Sequence, residues 1–99
     1  MSNDDAVVLR AMANLWRGVE SVGGRLTLTN RHLSFRAHAL NVQTTPLDIP
    51  LHDIVGTRKY RNLGLLPNGL AVRTKSGTEY RFVVRKRRRF IDKIAELTS

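Results

Sequence analysis

The sequence has 99 residues, of which 41% are hydrophobic and 25% are charged, and these values predict one globular domain over residues 1–99 with a single core. The 17 Lys and Arg residues, mostly Arg, outnumber the 8 Asp and Glu residues, and the resulting net charge of +9 favours binding to phosphates or other anions. The chain has no cysteine, which excludes disulfides, Cys-ligated metal sites and thiol nucleophiles.

Residues 1–5 read Met-Ser-Asn-Asp-Asp and are expected to form a disordered tail. They lack the basic region of a secretory signal. No window of the sequence approaches the roughly 20 consecutive apolar residues of a membrane-spanning helix. We therefore expect a cytoplasmic protein whose contact with membranes is peripheral.

Residues 6–16 fit two different periods. Apolar residues fill every second position, namely Val7, Leu9, Ala11, Ala13 and Leu15. The same stretch is rich in helix-forming residues and is compatible with a helix, but the unbroken alternation favours a strand. Arg17-Gly18 and Gly23-Gly24 then predict a loop.

The next stretch predicts a hairpin and a short strand. Residues 25–29 alternate, Asn30-Arg31 indicates a tight reversal, and the alternation resumes over residues 33–35. Residues 37–46 are polar and typical of a loop. Residues 47–51 alternate around Pro50, which indicates an edge strand or a bend, and a turn is expected at His52-Asp53.

Three further strands and one helix complete the predicted fold. Strands are expected over 54–60, 70–74 and 80–84, separated by a loop at 62–68 and a turn at 75–78. Helical spacing then relates the apolar residues Phe90, Ile91, Ile94 and Leu97. The sequence thus predicts a mostly β domain of seven antiparallel strands, with one C-terminal α-helix covering the open end.

Four segments together resemble the GRAM domains, which are relatives of pleckstrin-homology (PH) domains. Gly24–Phe35 is similar to their G-x-L-x-L-T-x-x-x-L-x-F hairpin, and Ile49–Ile54 is similar to their I-P-L-x-x-I segment. Residues 70–77 with 80–82 resemble the last hairpin, and Ala13–Gly18 resembles the first strand. The resemblance runs from about residue 7 to 97, and the chain looks like a small, stand-alone member of the family.

The resemblance implies a PH-like barrel or sandwich of two near-orthogonal antiparallel sheets capped by the C-terminal helix. It also implies a non-catalytic module without a cofactor, which binds membrane lipids, often phosphoinositides, or protein partners. Because one fold hosts many ligands, the candidate residues are weighed separately.

Two basic patches are candidates for an anion site. The first is the consecutive run Arg85, Lys86, Arg87, Arg88 and Arg89, which is either a docking patch for phosphates or a solvated junction between the last strand and the helix. The second is the lipid site that the family resemblance implies at the end of the barrel that the helix does not cap, which would use Arg17 and Arg25, supplemented by Arg36, His38 and Lys75. Thr27 stands where the family has a second basic residue. The family topology places the two patches at opposite ends, as rival sites.

Apolar residues near predicted loops are candidate contacts with a membrane or partner. Trp16 points outward by strict alternation, as in a bilayer-interface tryptophan, or packs in the core at a bulge. Leu63, Leu65 and Leu66 lie beside Arg61 and either insert into lipid or pack under the sheet.

Other chemistry is not indicated. His32, His38 and His52 lack metal-ligand spacing, and Ser34 belongs to no recognisable catalytic arrangement. The leading hypothesis is therefore peripheral binding of anionic lipids. Alternatives are a protein-interaction module or homodimer, and non-specific nucleic-acid binding. The last lacks a stacking surface, because four aromatic residues are expected to point inward: Phe35, Tyr80, Phe82 and Phe90.

Overall fold

The computed structural model describes residues 5–38 and 45–99. Most of the predicted tail at 1–5 and most of the predicted loop at 37–46 lie outside these residues. The elements, in chain order, are β1 (Val7–Arg17), β2 (Glu20–Thr29), β3 (His32–Ala37), β4 (Leu47–Pro50), a 3₁₀ turn (Leu51–Asp53), β5 (Ile54–Asn62), β6 (Leu66–Thr74), β7 (Glu79–Val84) and α1 (Arg87–Thr98).

The seven strands are antiparallel neighbours in the order β4-β3-β2-β1-β7-β6-β5. Strands β1–β4 pair in succession, and so do strands β5–β7. Three residue pairs between β1 and β7, from Ala13↔Val84 to Leu15↔Phe82, join them into one curled sheet. The predicted mostly β, PH-like fold with one C-terminal helix is confirmed.

The first element is a strand, as its alternation indicated. Ala13 and Leu15 are buried, in agreement with the predicted inward face. Val7 is different, because the β1–β2 register shifts between Val7 and Leu9 and reverses the phase at the start of the strand. Val7 is consequently exposed, and Val8 packs against the core.

Two predicted loops are shorter in the structure. β1 and β2 are joined by a two-residue turn, Gly18-Val19, in which Gly18 has φ +62°. Gly24 therefore lies within β2 and not in a loop. A Cβ there would overlap the carbonyl oxygen of Arg36 and lie 2.6 Å from Phe35 Cζ, so the close approach of β3 requires glycine. The β5–β6 turn covers only residues 63–65.

The core fills the space between the curled sheet and α1. Phe35 and Phe82 pack with ring centroids 6.2 Å apart. Phe90 and Ile94 of α1 are buried, and Ile91 and Leu97 pack against the same core, which confirms the predicted helical stripe. The helix contacts β5, β6 and the 3₁₀ turn, so the opposite face of the sheet stays open to solvent around β1 and β2.

Candidate anion-binding surface

A lateral row of long side chains crosses the outer face of the sheet. The strand register places Met12 of β1 opposite Arg25 of β2, and Arg25 opposite Arg36 of β3. On the other side, the pair Ala13↔Val84 brings Arg85 beside Met12, and both line one cavity of about 270 Å³. We call these four residues, Arg36, Arg25, Met12 and Arg85, the arginine row. All four are exposed, Met12 to 60%.

The charges of the row are unevenly neutralised. Arg36 forms a bidentate pair with Asp48, whose two oxygens lie 2.9 and 3.0 Å from its Nη2. A hydrogen bond from the Ser34 hydroxyl, at 2.6 Å, and the Arg36 guanidinium lower the pKa of the Asp48 carboxyl. Arg25 and Arg85 have no ion-pair partner among the described residues.

A further arginine extends this charged surface. Arg10 lies two residues before Met12 on the outer face of β1 and is likewise unpaired within residues 5–38 and 45–99. It lines a cavity of about 420 Å³ together with Arg25, Arg36 and His38. Like charges directly opposite each other on neighbouring strands are destabilising, as at Arg25 and Arg36. The arrangement thus concentrates positive charge that no carboxylate in the described part of the chain compensates at Arg10 and Arg25.

The basic run at residues 85–89 does not form one patch. Arg85 belongs to the arginine row and lies on the same face as Arg25, with Met12 of β1 between them, whereas the family resemblance implied opposite ends of the domain for the two. Arg87 turns toward the sheet, where its Nη1 donates hydrogen bonds to the carbonyl oxygens of Tyr60 (3.0 Å) and Gly69 (3.1 Å). The remaining three residues, Lys86, Arg88 and Arg89, are exposed around the start of α1.

Arg17 and Lys75 lie outside the row. Arg17 continues the core-facing phase of Ala13 and Leu15, so it points to the face opposite Arg25. Its Nη2 donates a hydrogen bond to the Thr45 carbonyl oxygen at 2.5 Å. Lys75 is exposed on the β6–β7 turn, where its backbone N–H donates to the Asp53 carbonyl oxygen. The structure therefore brings together Arg25 and Arg36, with His38 beside them, and leaves Arg17 and Lys75 elsewhere.

A second cavity, of about 600 Å³, lies between the β1–β2 turn and the β5–β6 turn. Trp16 lines it from the outer face of β1 and is half-buried, and its Nε1–H donates to Asn62 Oδ1 at 3.2 Å. Arg61 and Arg81 line the same cavity. We call this cavity the hairpin pocket. Trp16 therefore follows the outward alternation and does not enter the core.

Exposed apolar side chains surround the hairpin pocket. Val19, in the β1–β2 turn, is 95% exposed, and Leu63, with φ 56°, is 77% exposed, and both line the pocket. Leu65 and Leu66 are exposed on the same β5–β6 connection, so these leucines do not pack under the sheet. No sequence pattern selects Val19, since only the two-residue turn places it at the tip of a hairpin.

A network of side chains on β5 and β7 supports one wall of the hairpin pocket. Arg58 donates two hydrogen bonds to Glu79, at 3.0 and 2.7 Å, and these lower the pKa of the Glu79 carboxyl. The guanidinium carbons of Arg58 and Arg81 lie 6.0 and 5.8 Å from the ring centroid of Tyr60. Burial raises the pKa of the Tyr60 hydroxyl, which donates to the Phe82 carbonyl oxygen.

The histidines lie apart from one another, and the described residues contain no group of three or more His, Asp or Glu side chains that could hold a metal ion. His32 Nδ1 lies 3.1 Å from Asp5 Oδ2, and His52 is part of the 3₁₀ turn. None of the helices in the described part of the chain is both long enough and apolar enough to cross a bilayer.

The comparisons with known proteins agree with this architecture. A family model described as "GRAM domain" matches residues 1–99. The Vps36 N-terminal PH domain superposes with a TM-score of 0.75 at 16% identity, covering 99% of this chain and 82% of that chain. The Slm1-PH domain superposes in its complex with phosphoserine (TM-score 0.72, 15% identity, 93% and 95% covered) and in its complex with inositol-4-phosphate (0.69, 13%, 95% and 98%). A search of curated proteins finds no significant match. At these identities the likeness to solved structures shows the fold alone.

Proposed function

Because the chain belongs to the GRAM domain family, we propose that it is a non-catalytic module that binds anionic lipid headgroups at the membrane surface. The observation that carries the proposal is that three arginines without an ion-pair partner among the described residues, Arg10, Arg25 and Arg85, share the outer face of the sheet with the exposed side chain of Met12. Guanidinium groups match phosphate oxygens in geometry and charge. The Slm1-PH domain, a structural neighbour, has been crystallised with two phosphate-bearing ligands.

Arginines without an ion-pair partner in the described residues repel one another and lower the stability of the folded domain, so stability alone does not explain their presence. At one end of the arginine row, Arg36 shares the Asp48 carboxylate with Ser34, which shows how such a charge is neutralised internally. Arg25 has no equivalent carboxylate in the described part of the chain, although it faces Arg36. An anion placed over the row removes this repulsion.

Exposed apolar tips give the surface a second means of membrane contact. Val19 and Leu63 flank the hairpin pocket, which Trp16 lines from β1. Arg10 and Trp16 are six positions apart on an extended strand, a distance of about 20 Å. A bilayer that contacts the outer face of β1 can therefore meet cations along the strand and apolar side chains at its end.

Three cations near an anionic bilayer contribute about 1 kcal/mol each, or roughly 100-fold in affinity together. The test compares two triple variants that remove equal charge. Replacing Arg10, Arg25 and Arg85 with Ser should lower binding to phosphatidylglycerol vesicles about 100-fold in co-sedimentation at low salt. The control replaces Lys86, Arg88 and Arg89 with Ser and should lose several-fold less. Equal losses of affinity in the two triple variants would mean that binding does not depend specifically on Arg10, Arg25 and Arg85. If the native chain bound vesicles with and without anionic lipid equally, the proposed function would be refuted.

Self-association is the second candidate, and one observation favours it. β5 is an edge of the sheet in the described structure, and its Val55 is exposed. An edge strand offers unpaired backbone groups to a second chain. Light scattering after size exclusion measures this directly: a stable dimer without any vesicle binding would favour the interaction module. Nucleic-acid stacking is not supported, since Phe35, Phe82 and Phe90 are buried.

A further inference from the structure

The two edges of the sheet in the described structure differ in length and composition. β4 forms one edge and has only four residues, and its Pro50 has no N–H to offer to another strand. β5 forms the other edge and has nine residues, whereas strands usually have about 5–6. Short strands and proline are common means of preventing a sheet edge from pairing with another chain. The β4 edge uses both, and the β5 edge uses neither.

The middle of β5 is regular, and its free side is open. Residues 56–60 pair one for one with β6, between the register shifts at the two ends of the strand. Within residues 5–38 and 45–99, the backbone of residues 55–59 makes hydrogen bonds only to β6. Every second residue of such an edge strand directs its N–H and C=O groups away from the neighbouring strand, so these groups are available to a further strand.

Three arginines share one carboxylate on the outer face beside this edge. The strand register places Arg73 of β6 between Gly56 of β5 and Glu79 of β7. Glu79 accepts two hydrogen bonds from Arg58 and lies 3.8 Å from Arg81 Nε. Arg73 is exposed and has no ion-pair partner in the described part of the chain. We call the three arginines and Glu79 the Glu79 cluster, and its positive charge exceeds what one carboxylate neutralises.

Gly56 leaves an opening between the β5 edge and this cluster. A Cβ at Gly56 would have no atom within 4 Å, and the small cavity beside it is also lined by Arg58 and Arg73. A residue paired with Gly56 on an added strand would lie about 10 Å from Arg73, measured between Cα atoms two strand spacings apart. The side chains of an arginine and a glutamate together span this distance, and Gly56 has no side chain to separate them.

The charge of β5 favours an acidic partner over a second copy of this chain. Two copies paired antiparallel about the centre of β5 would set Arg58 opposite Arg58, and like charges directly opposite each other are destabilising. Lys59 is exposed, has no ion-pair partner among the described residues and adds to this repulsion. Each copy also carries a net charge of +9. An extended segment with carboxylates would meet the opposite charge along the same edge.

We propose that an acidic, extended segment of a protein partner adds to the sheet as a further strand along β5. Its backbone pairs with residues 55–59, and a carboxylate opposite Gly56 binds Arg73 and reduces the excess charge of the Glu79 cluster. In this mode of recognition the main chain supplies affinity and alternate side chains supply specificity. β7 and β1 separate β6 from Arg25 on β2, so this surface differs from the arginine row and the inference does not rest on lipid binding.

The experiment uses three blocked peptides of equal length. The probe has four Thr-Glu repeats, in which acidic and β-branched residues alternate. One control has four Thr-Gln repeats and no charge, and the other has four Pro-Glu repeats, which keep the charge but lack half of the N–H groups. In NMR titrations at low salt, the probe should bind at least about tenfold more tightly than either control, since it alone offers both charge-assisted and main-chain hydrogen bonds. Bound probe should also slow hydrogen exchange at alternate N–H groups of residues 55–59.

Variants of the chain test the role of the cations. Arg73→Gln should weaken binding of the Thr-Glu peptide about fivefold, as expected for one partly exposed ion pair. The matched control, Arg88→Gln, removes the same charge from an exposed position at the start of α1 and should weaken it less than about twofold. Lys59→Gln is a second test at the edge itself and should also weaken binding more than the control does. Arg73→Gln and Arg88→Gln should bind phosphatidylglycerol vesicles equally.

The outcomes separate this proposal from its alternatives. Equal binding of the acidic and neutral peptides, equal binding of the Pro-Glu peptide, or unchanged exchange at residues 55–59 would each overturn it, and so would equal losses in Arg73→Gln and Arg88→Gln. A dimer in light scattering whose residues 55–59 exchange slowly without peptide would mean that a second copy occupies the edge, which would also overturn it. The proposed lipid function is judged by vesicle binding alone, so either proposal can fail while the other holds.

Discussion

Replacing Arg87 tests which residues of the basic run 85–89 stabilise the fold and which are available to bind a ligand. Its guanidinium donates to the carbonyl oxygens of Tyr60 and Gly69, which face each other across β5 and β6. The register of these strands shifts between Tyr60 and Asn62, and ladder hydrogen bonds are interrupted at such irregularities. Arg87 therefore connects the first turn of α1 to the backbone of two strands.

Replacing Arg87 with Met keeps most of the apolar stem and removes both hydrogen bonds. A hydrogen bond to a charged group contributes about 1.5–3 kcal/mol, and because Arg87 is half-buried, we expect about 2 kcal/mol for the two together. For a domain of this size the corresponding fall in Tm is about 10 °C. Urea and thermal unfolding, followed by circular dichroism, measure both quantities.

The matched control is Arg89→Met, which removes the same charge from an exposed position of the same helix. It should change the stability by no more than about 0.5 kcal/mol. The two variants should bind vesicles with equal affinity at temperatures where both are folded. If Arg87→Met kept its Tm but lost vesicle binding, Arg87 would be a ligand-binding cation and the structural assignment would be refuted.

Two further predictions concern the sheet. Gly24→Ala should destabilise the domain by about 1–3 kcal/mol, because its Cβ would overlap the Arg36 carbonyl, whereas Gly56→Ala, with no atom within 4 Å of the added Cβ, should be close to neutral in the same urea titration. Arg58 holds the pKa of Glu79 below its ordinary value of 4.5 in the folded state, so the unfolded chain takes up the proton first and stability falls as the pH drops below 4.5. Glu79→Gln should flatten this dependence, and an unchanged pH profile of Tm would contradict the assigned pair.

The helix and most strands followed from local patterns. Alternation over β2 and β3 and the helical spacing of Phe90 and Ile94 select the buried faces, because only burial of these apolar side chains drives folding. The predicted ends of the strands and loops agree less well with the structure. A glycine pair such as Gly23-Gly24 is typical of a loop in the sequence, but its actual role at Gly24 is to admit the neighbouring strand β3.

The amino-acid sequence by itself determined the fold class, the net charge of +9 and the family resemblance, since periodicity, composition and motif order are local properties. The tertiary structure alone decided which cations share a surface. Arg85 and Arg25 are 60 positions apart in the chain, and only the pairing of β7, β1 and β2 brings them onto one face, on either side of Met12. In the sequence, five consecutive basic residues suggest one patch. In the structure, Arg87 at the start of α1 points toward backbone carbonyls, whereas Arg85 lies on the outer face of the sheet. Charge is additive along a sequence, but an anion site depends on the direction of each side chain, which strand register and helix phase determine.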